Sequence, residues 1–180
     1  MPCQRSSRIK KINPDDLLDS YCVLDLETTG LSANYDKIVE VAILKIKNNE
    51  IVDTFHTLIN PCIPISVSAS TVNHIYDDMV QDSPLFSDVM DSILSFLGED
   101  TIIGHNISFD LRFLNANLNT PLTNPHLDTM VLSRIVYPQL SHHRLSDLQE
   151  YLNLTSNTHR ALADCITTKE LYDRIKHDHQ

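Results

Sequence analysis

Tyr21-Cys22-Val23-Leu24-Asp25-Leu26-Glu27 is an apolar run broken only by two acids close to its end. Its residue types favour a β-strand, and a strand repeats every two residues, so Asp25 and Glu27 share one face with Tyr21 and Val23. Both faces are otherwise apolar, which makes this a central, buried strand. Two carboxylates side by side there repel each other and lose hydration unless a cation lies between them. Thr28-Thr29-Gly30 then turns the chain. Taken alone, Asp-x-Glu reads more simply as two exposed acids at a strand end.

Working outward, Ile38 to Ile46 and Ile51 to Ile59 read as further strands, joined by a hairpin turn at Lys47-Asn48-Asn49-Glu50. Such short connections predict antiparallel neighbours. A loop with Pro61 and Pro64 leads to a modest helical segment at Ser68 to Ile75. A clearer helix runs from about Pro84 to Leu97, where Phe86, Val89, Met90, Ile93 and Leu97 share one face and Gly98 is the stop. Thr101 to Gly104 is expected as a buried strand, Ser108 to about Asn117 as a helix, and Leu127 to Thr129 as a short strand. Helices follow at Met130 to Val136, Ser146 to Tyr151 and His159 to about Lys176. Strands first, then alternating strand and helix, predict an α/β fold: a mixed five-stranded sheet with helices packed on it. Residues 1–20 read as a basic arm ending in a short helix at Asn13-Pro14-Asp15-Asp16, residues 21–176 as one domain and residues 177–180 as a tail.

A third acid stands in His105-Asn106-Ile107-Ser108-Phe109-Asp110, with Ser108 expected as the helix N-cap and Asp110 in the first turn, where backbone N–H groups favour an anion. Capping explains an acid there, but not why Asp110 lies on the same face as Phe113 and Leu114. The fourth is Asp164 in His159-Arg160-Ala161-Leu162-Ala163-Asp164, beside the buried stripe Ala161, Cys165, Thr168, Tyr172 and Ile175. Inside the helix, His159 would be turned about 140° from Asp164. It is therefore expected at the helix start, on mobile backbone after the loop-like Thr155-Ser156-Asn157-Thr158, a suitable place for a general base. Each motif alone has an ordinary structural explanation; none of those explanations predicts the set. Oxygen ligands without cysteine point to Mg²⁺ or Mn²⁺ rather than zinc, and two such ions about 4 Å apart can hold a phosphate between them.

The bulk composition narrows the choices. With 180 residues, 42% hydrophobic and 21% charged, the chain is sized for one domain. No apolar run is long enough to cross a bilayer and the start lacks a secretory pattern, so a soluble, cytoplasmic protein is expected. Cys3, Cys22, Cys62 and Cys165 form no Cys-x-x-Cys pair and suggest neither zinc ribbon nor disulfide framework. The net charge of −10 argues against a simple nucleic-acid-binding module. An enzyme whose carboxylates hold cations escapes that objection, because the site plus its metals is locally positive. Arg5, Arg8, Lys10 and Lys11 give the arm +4 and leave −14 to the rest.

On three motifs the sequence resembles the DEDDh 3′-to-5′ exonucleases, whose fold is ribonuclease-H-like with helices on both sheet faces: Leu24-Asp25-Leu26-Glu27-Thr28-Thr29-Gly30, Gly104-His105-Asn106-Ile107-Ser108-Phe109-Asp110 and His159-Arg160-Ala161-Leu162-Ala163-Asp164. The likeness runs from about Tyr21 to Ile175 and looks greatest to the proofreading exonucleases of bacterial replicative DNA polymerases. It implies that Asp25, Glu27, Asp110 and Asp164 bind two divalent cations, Mg²⁺ or Mn²⁺, with Asp25 shared, and that His159 deprotonates the attacking water. It also implies that the Thr28 backbone and the His105, Asn106 and Phe109 side chains line the pocket for the terminal nucleotides. The implied partners are single-stranded DNA or a frayed 3′ end and a DNA polymerase as a separate chain, since no polymerase motif occurs here. Asp128 and Asp147 fall in family-like segments but read as structural, a turn bond and a helix cap. Where relatives usually have Gly-Ile-Thr, this chain has His74-Ile75-Tyr76 after Asn73, and loss of that glycine removes backbone freedom near the substrate. Two other readings remain open: an RNA-trimming exonuclease of the same branch, and a catalytically silent docking module.

Overall fold

The first strand, β1 (Tyr21–Thr28), lies at the centre of a five-stranded sheet in the computed structural model, which describes residues 17–155 and 159–179. The basic arm, its short helix and most of the loop before His159 fall outside the described residues. β2 (Ile38–Lys47) pairs with β1 antiparallel, and β3 (Glu50–Leu58) pairs with β2 antiparallel. Asn48 and Asn49, at φ 50° and 67°, form the turn between them, both in the left-handed region that a tight hairpin demands. β4 (Ile102–Gly104) and β5 (His126–Asp128) extend the other side in parallel, giving the order β3-β2-β1-β4-β5. The mixed α/β sheet expected from the sequence is therefore present.

Seven helices complete the described chain: α1 (Val67–Asn73), α2 (Asp77–Val80), α3 (Phe86–Leu97), α4 (Ser108–Asn117), α5 (Thr129–Val136), α6 (Leu145–Leu152) and α7 (Ala161–Asp178). They cover both faces of the sheet, because β1 and β2 are apolar on both. Tyr21, Val23, Ala42 and Leu44 pack with Leu132, Leu148, Leu171 and Tyr172 from α5, α6 and α7. On the reverse face, Cys22, Leu24, Val41 and Ile43 pack with Ile93 and Leu97 of α3 and Phe113 and Leu114 of α4. Cys22 and Cys165 are buried free thiols, and Cys62 is exposed. Among the described residues, no helix is long and apolar enough to cross a membrane.

Several boundaries differ from the sequence-based expectation. Ser108 is the first helical residue of α4 rather than its cap; Ile107 precedes the helix and makes no side-chain cap bond. Thr129 opens α5 instead of ending β5, because Asp128 accepts from the Met130 amide and starts the helix there. The single-turn α2 went unread, being too short to show a period. At the far end α7 continues to Asp178, two residues into the expected tail.

Candidate active site

Asp25 and Glu27 project from the end of β1 on the face covered by α7, whose first turn carries Asp164. One carboxylate oxygen from each of the three can be chosen so that all lie within 4.8 Å of one another. Asp110 approaches from α4, which packs on the opposite face of the sheet. Its Oδ1 accepts from the Leu26 amide at 3.0 Å, between the two β1 acids. Strand period and helix register thus bring together four acids separated by up to 139 positions in the chain, Asp25 to Asp164.

Their electrostatics are those of crowded acids. Burial, then Asp110, Glu27 and Asp164, hold the Asp25 carboxyl well above the usual range. Burial and the Asp164 charge push Glu27 up to about 8. Asp110 rises to about 8 through burial, opposed by its backbone hydrogen bonds, and Asp164 to about 7 through burial and the nearby Glu40. Asp164 Oδ1 is buried with no hydrogen-bond partner. A buried carboxylate oxygen without a partner, on an acid clustered with two others, fits a hard divalent cation, whose charge would offset the repulsion and supply a partner.

The chain leaves β1 through a narrow turn. A Cβ on Gly30 would lie 2.5 Å from the Asp36 carboxylate, which accepts from the Ser32 amide and the Thr29 hydroxyl. α1 closes over this turn: Ser66 donates to the Thr29 carbonyl, and the buried Asn73 amide donates to the Thr28 carbonyl and hydrogen-bonds Glu27. His74 ends α1 at φ 57°, ψ 28°, the left-handed conformation a glycine would adopt freely. Replacement of the expected glycine therefore leaves the backbone path in the glycine-like conformation.

The remaining expected residues spread around this centre. His159 is exposed, at φ 50°, and stands two residues ahead of α7, at the helix start. Asn106 is exposed at φ 61°, with its amide held by Asp128. Phe109 is half-buried and stacks on Phe113 at 4.9 Å. Thr28 is buried and donates from its hydroxyl to the Gly30 carbonyl. His105 has both ring nitrogens engaged: Nε2 is 2.9 Å from the His143 carbonyl, which can only accept, and Nδ1 is 2.9 Å from the Thr129 hydroxyl. Burial lowers its pKa, consistent with a neutral ring that donates from Nε2. The two acids read as structural are so placed: Asp128 joins the Asn106 turn to the start of α5, and Asp147 accepts from the Arg144 amide ahead of α6.

Sequence reasoning passed over Glu40 and assigned no role to Arg160. Glu40 sits opposite Glu27 in the β1–β2 ladder, fully buried, and is held by Arg160. An acid inside the apolar run Ile38-Val39-Glu40-Val41-Ala42 was the available signal.

The fold and the acids at the end of β1 define a class. A family model described as Exonuclease, RNase_T, matches residues 22–172, and the chain belongs to that exonuclease family. Its relatives place it more narrowly. The DNA polymerase III PolC-type of Oceanobacillus iheyensis is 41% identical over 155 residues, 83% of this chain and 11% of that protein. The Bacillus subtilis PolC-type polymerase is 39% identical over 166 residues, 89% of this chain and 12% of that protein. The chain thus spans only 11–12% of the length of these curated relatives. Among solved structures, Exonuclease X in complex with 5′ overhanging duplex DNA has a TM-score of 0.73 at 30% identity, covering 86% of this chain and 89% of that one. The nuclease domain of 3′hExo, a DEDDh family member bound to rAMP, shares the fold with a TM-score of 0.75 at 20% identity, covering 91% and 94%. The DEDDh resemblance read from the three motifs agrees with these matches.

Proposed function

We propose that the chain is a metal-dependent 3′-to-5′ exonuclease that removes nucleoside monophosphates from DNA ends, in proofreading or repair. The observation that carries this is the convergence of one carboxylate oxygen each from Asp25, Glu27 and Asp164 to within 4.8 Å of one another, with Asp164 Oδ1 buried and without a hydrogen-bond partner. Asp25, Glu27, Asp110 and Asp164 would hold two divalent cations, Mg²⁺ or Mn²⁺. Bound there, the cations supply positive charge to the scissile phosphate, to the attacking water and to the departing 3′ oxygen. Asp110, with Oδ1 tied to the Leu26 amide between the two β1 acids, would offer its other oxygen to a cation. His159 takes the proton from water as its oxygen bonds to phosphorus. The bond to the 3′ oxygen breaks, and a proton from solvent completes the new 3′ hydroxyl. The Thr28 backbone, His105, Asn106 and Phe109 line the ground on which the last nucleotides rest; Asn106 is exposed, and His105 and Phe109 are half-buried.

DNA is favoured as substrate by the DNA-bound Exonuclease X and by the PolC-type relatives. The latter also favour a DNA polymerase as working partner. A gel time course on 5′-labelled single-stranded DNA and the matching RNA, with Mg²⁺, Mn²⁺ or EDTA, tests the reading. A metal-dependent ladder shortening from the 3′ end, faster on DNA and reduced about a hundredfold or more in His159→Ala, is expected. Faster cutting of RNA would reassign the substrate, and no cleavage of either would leave a docking module.

A further inference from the structure

Glu40, an acid near the site, has the partners a buried charge requires. It is 0% exposed, on an apolar strand directly opposite Glu27. Arg160 Nε reaches its two oxygens at 3.2 and 3.0 Å, and Nη2 reaches Oε1 at 2.7 Å. The Ala161 amide donates to Oε2 at 3.0 Å, and His56 Nε2 lies 2.7 Å from Oε1. Burial works against ionisation, but the Arg160 and His56 hydrogen bonds outweigh it and hold the carboxyl below its ordinary range. Glu40 therefore stays charged beside acids whose carboxyls are pushed upward, and it lies where the chain enters α7.

Two properties of the contact go beyond charge balance. Ala161 is the first residue of α7, and its amide is one of the donors a helix start leaves without an internal partner. Glu40 caps it from 121 positions away, while gripping the side chain of the preceding residue. Arg160 is thus fixed at both its guanidinium and its following peptide, in an extended conformation of φ −126°, ψ 133°. His159 is the next residue back, at φ 50°, a left-handed conformation that a non-glycine residue holds only when its surroundings impose it. Arg160 also accepts the Asp164 amide through its carbonyl at 3.0 Å, which ties the same point to the first helical turn.

We propose that Glu40 and Arg160 form a positioning clamp for His159, fixing the backbone on which the imidazole is carried so that it reaches the water held at the carboxylates. The inference rests on the exonuclease reading and extends it to two residues outside the metal-binding and substrate-lining sets proposed above. A clamp that acts through His159 is worth nothing once the imidazole is gone. A pair that serves only to hold the fold costs the same in either background.

The test is a double-mutant cycle, with kcat and KM measured on single-stranded DNA in Mn²⁺ under steady-state conditions and melting curves recorded alongside. Arg160→Ala is expected to lower kcat about tenfold to a hundredfold, the usual scale for a misplaced catalytic group, with KM within about twofold. In the His159→Ala background the same change is expected to cost less than about twofold. Arg160→Ala leaves Glu40 buried without its cation, so the neutral pair Glu40→Gln with Arg160→Gln, which keeps amide hydrogen bonding, is run through the same cycle. Equal losses in both backgrounds, or an undiminished kcat in a folded variant, would overturn the clamp while leaving an active wild type and its nuclease reading in place. A wild type that cuts no substrate would overturn that reading, and the clamp with it.

Discussion

At the scale of single residues, the site is unfavourable to folding in its metal-free form. Asp25 is surrounded by Asp110, Glu27, Asp164 and Glu40, and its carboxyl is held far from its ordinary ionisation by burial first and those charges second. Asp25→Asn removes one charge and keeps the shape. The metal-free variant is expected to melt about 2–4 °C higher, which is what 1 kcal/mol amounts to in a chain of this length. The same substitution should lower cleavage on the order of a hundredfold or more and shrink the rise in melting temperature expected of the wild type with Mn²⁺. A variant that melts lower and keeps its response to Mn²⁺ would remove Asp25 from the metal centre. These acids were legible in the sequence because strand period and first-turn position are local rules. The grip of Arg160 on Glu40 was not, because the two lie 120 positions apart and only the sheet register brings them together.

Among the elements, α1 ends on a histidine held in the left-handed conformation that a glycine adopts freely. Its last turn ends at His74, whose amide donates to the Ser70 carbonyl at 2.9 Å from a left-handed conformation. That conformation costs a residue with a Cβ about 1–2 kcal/mol, while glycine gives back about 0.5–1 kcal/mol through its freer unfolded chain. His74→Gly is therefore expected to stabilise the protein by about 0.5 kcal/mol, seen in urea as a higher midpoint with an unchanged slope. A loss of stability would mean that the imidazole contributes more than its backbone costs. The long elements were readable, since β2 and α3 repeat their apolar positions often enough to set a period. α2 has four residues and nothing to repeat, and the cap of α4 was misplaced because Ser108 is the residue type that usually caps.

For the whole molecule, the raised carboxyls make stability depend on pH in a definite direction. Glu27 and Asp110 at about 8 and Asp164 at about 7 bind protons in the folded state that the unfolded chain, with ordinary carboxyls, has already released. Their contribution is complete below the unfolded values and disappears as pH rises through the folded ones. In EDTA, the melting temperature is therefore expected to fall between about pH 4.5 and pH 8 and then level off. Mn²⁺ must displace those protons to bind, so the increment it adds should be larger at pH 8 than at pH 6. A scan by differential scanning fluorimetry reads both; stability that climbs with pH in EDTA would contradict the crowded, protonated centre.

The fastening of the sheet's far end has its own consequence. Lys176, near the end of α7, donates to the Leu18 carbonyl at 3.1 Å and also bonds Asn49 in the β2–β3 turn, while the Asn49 amide donates to the Asp19 carbonyl at 2.8 Å and Tyr172 accepts from the Leu18 amide. The two ends of the domain thus lie side by side at the start of β1, about 13 Å along that strand from Asp25 and about 20 Å from Glu27. A unit built this way can be spliced into a host polypeptide as a cassette, both joints landing on the surface opposite its working end.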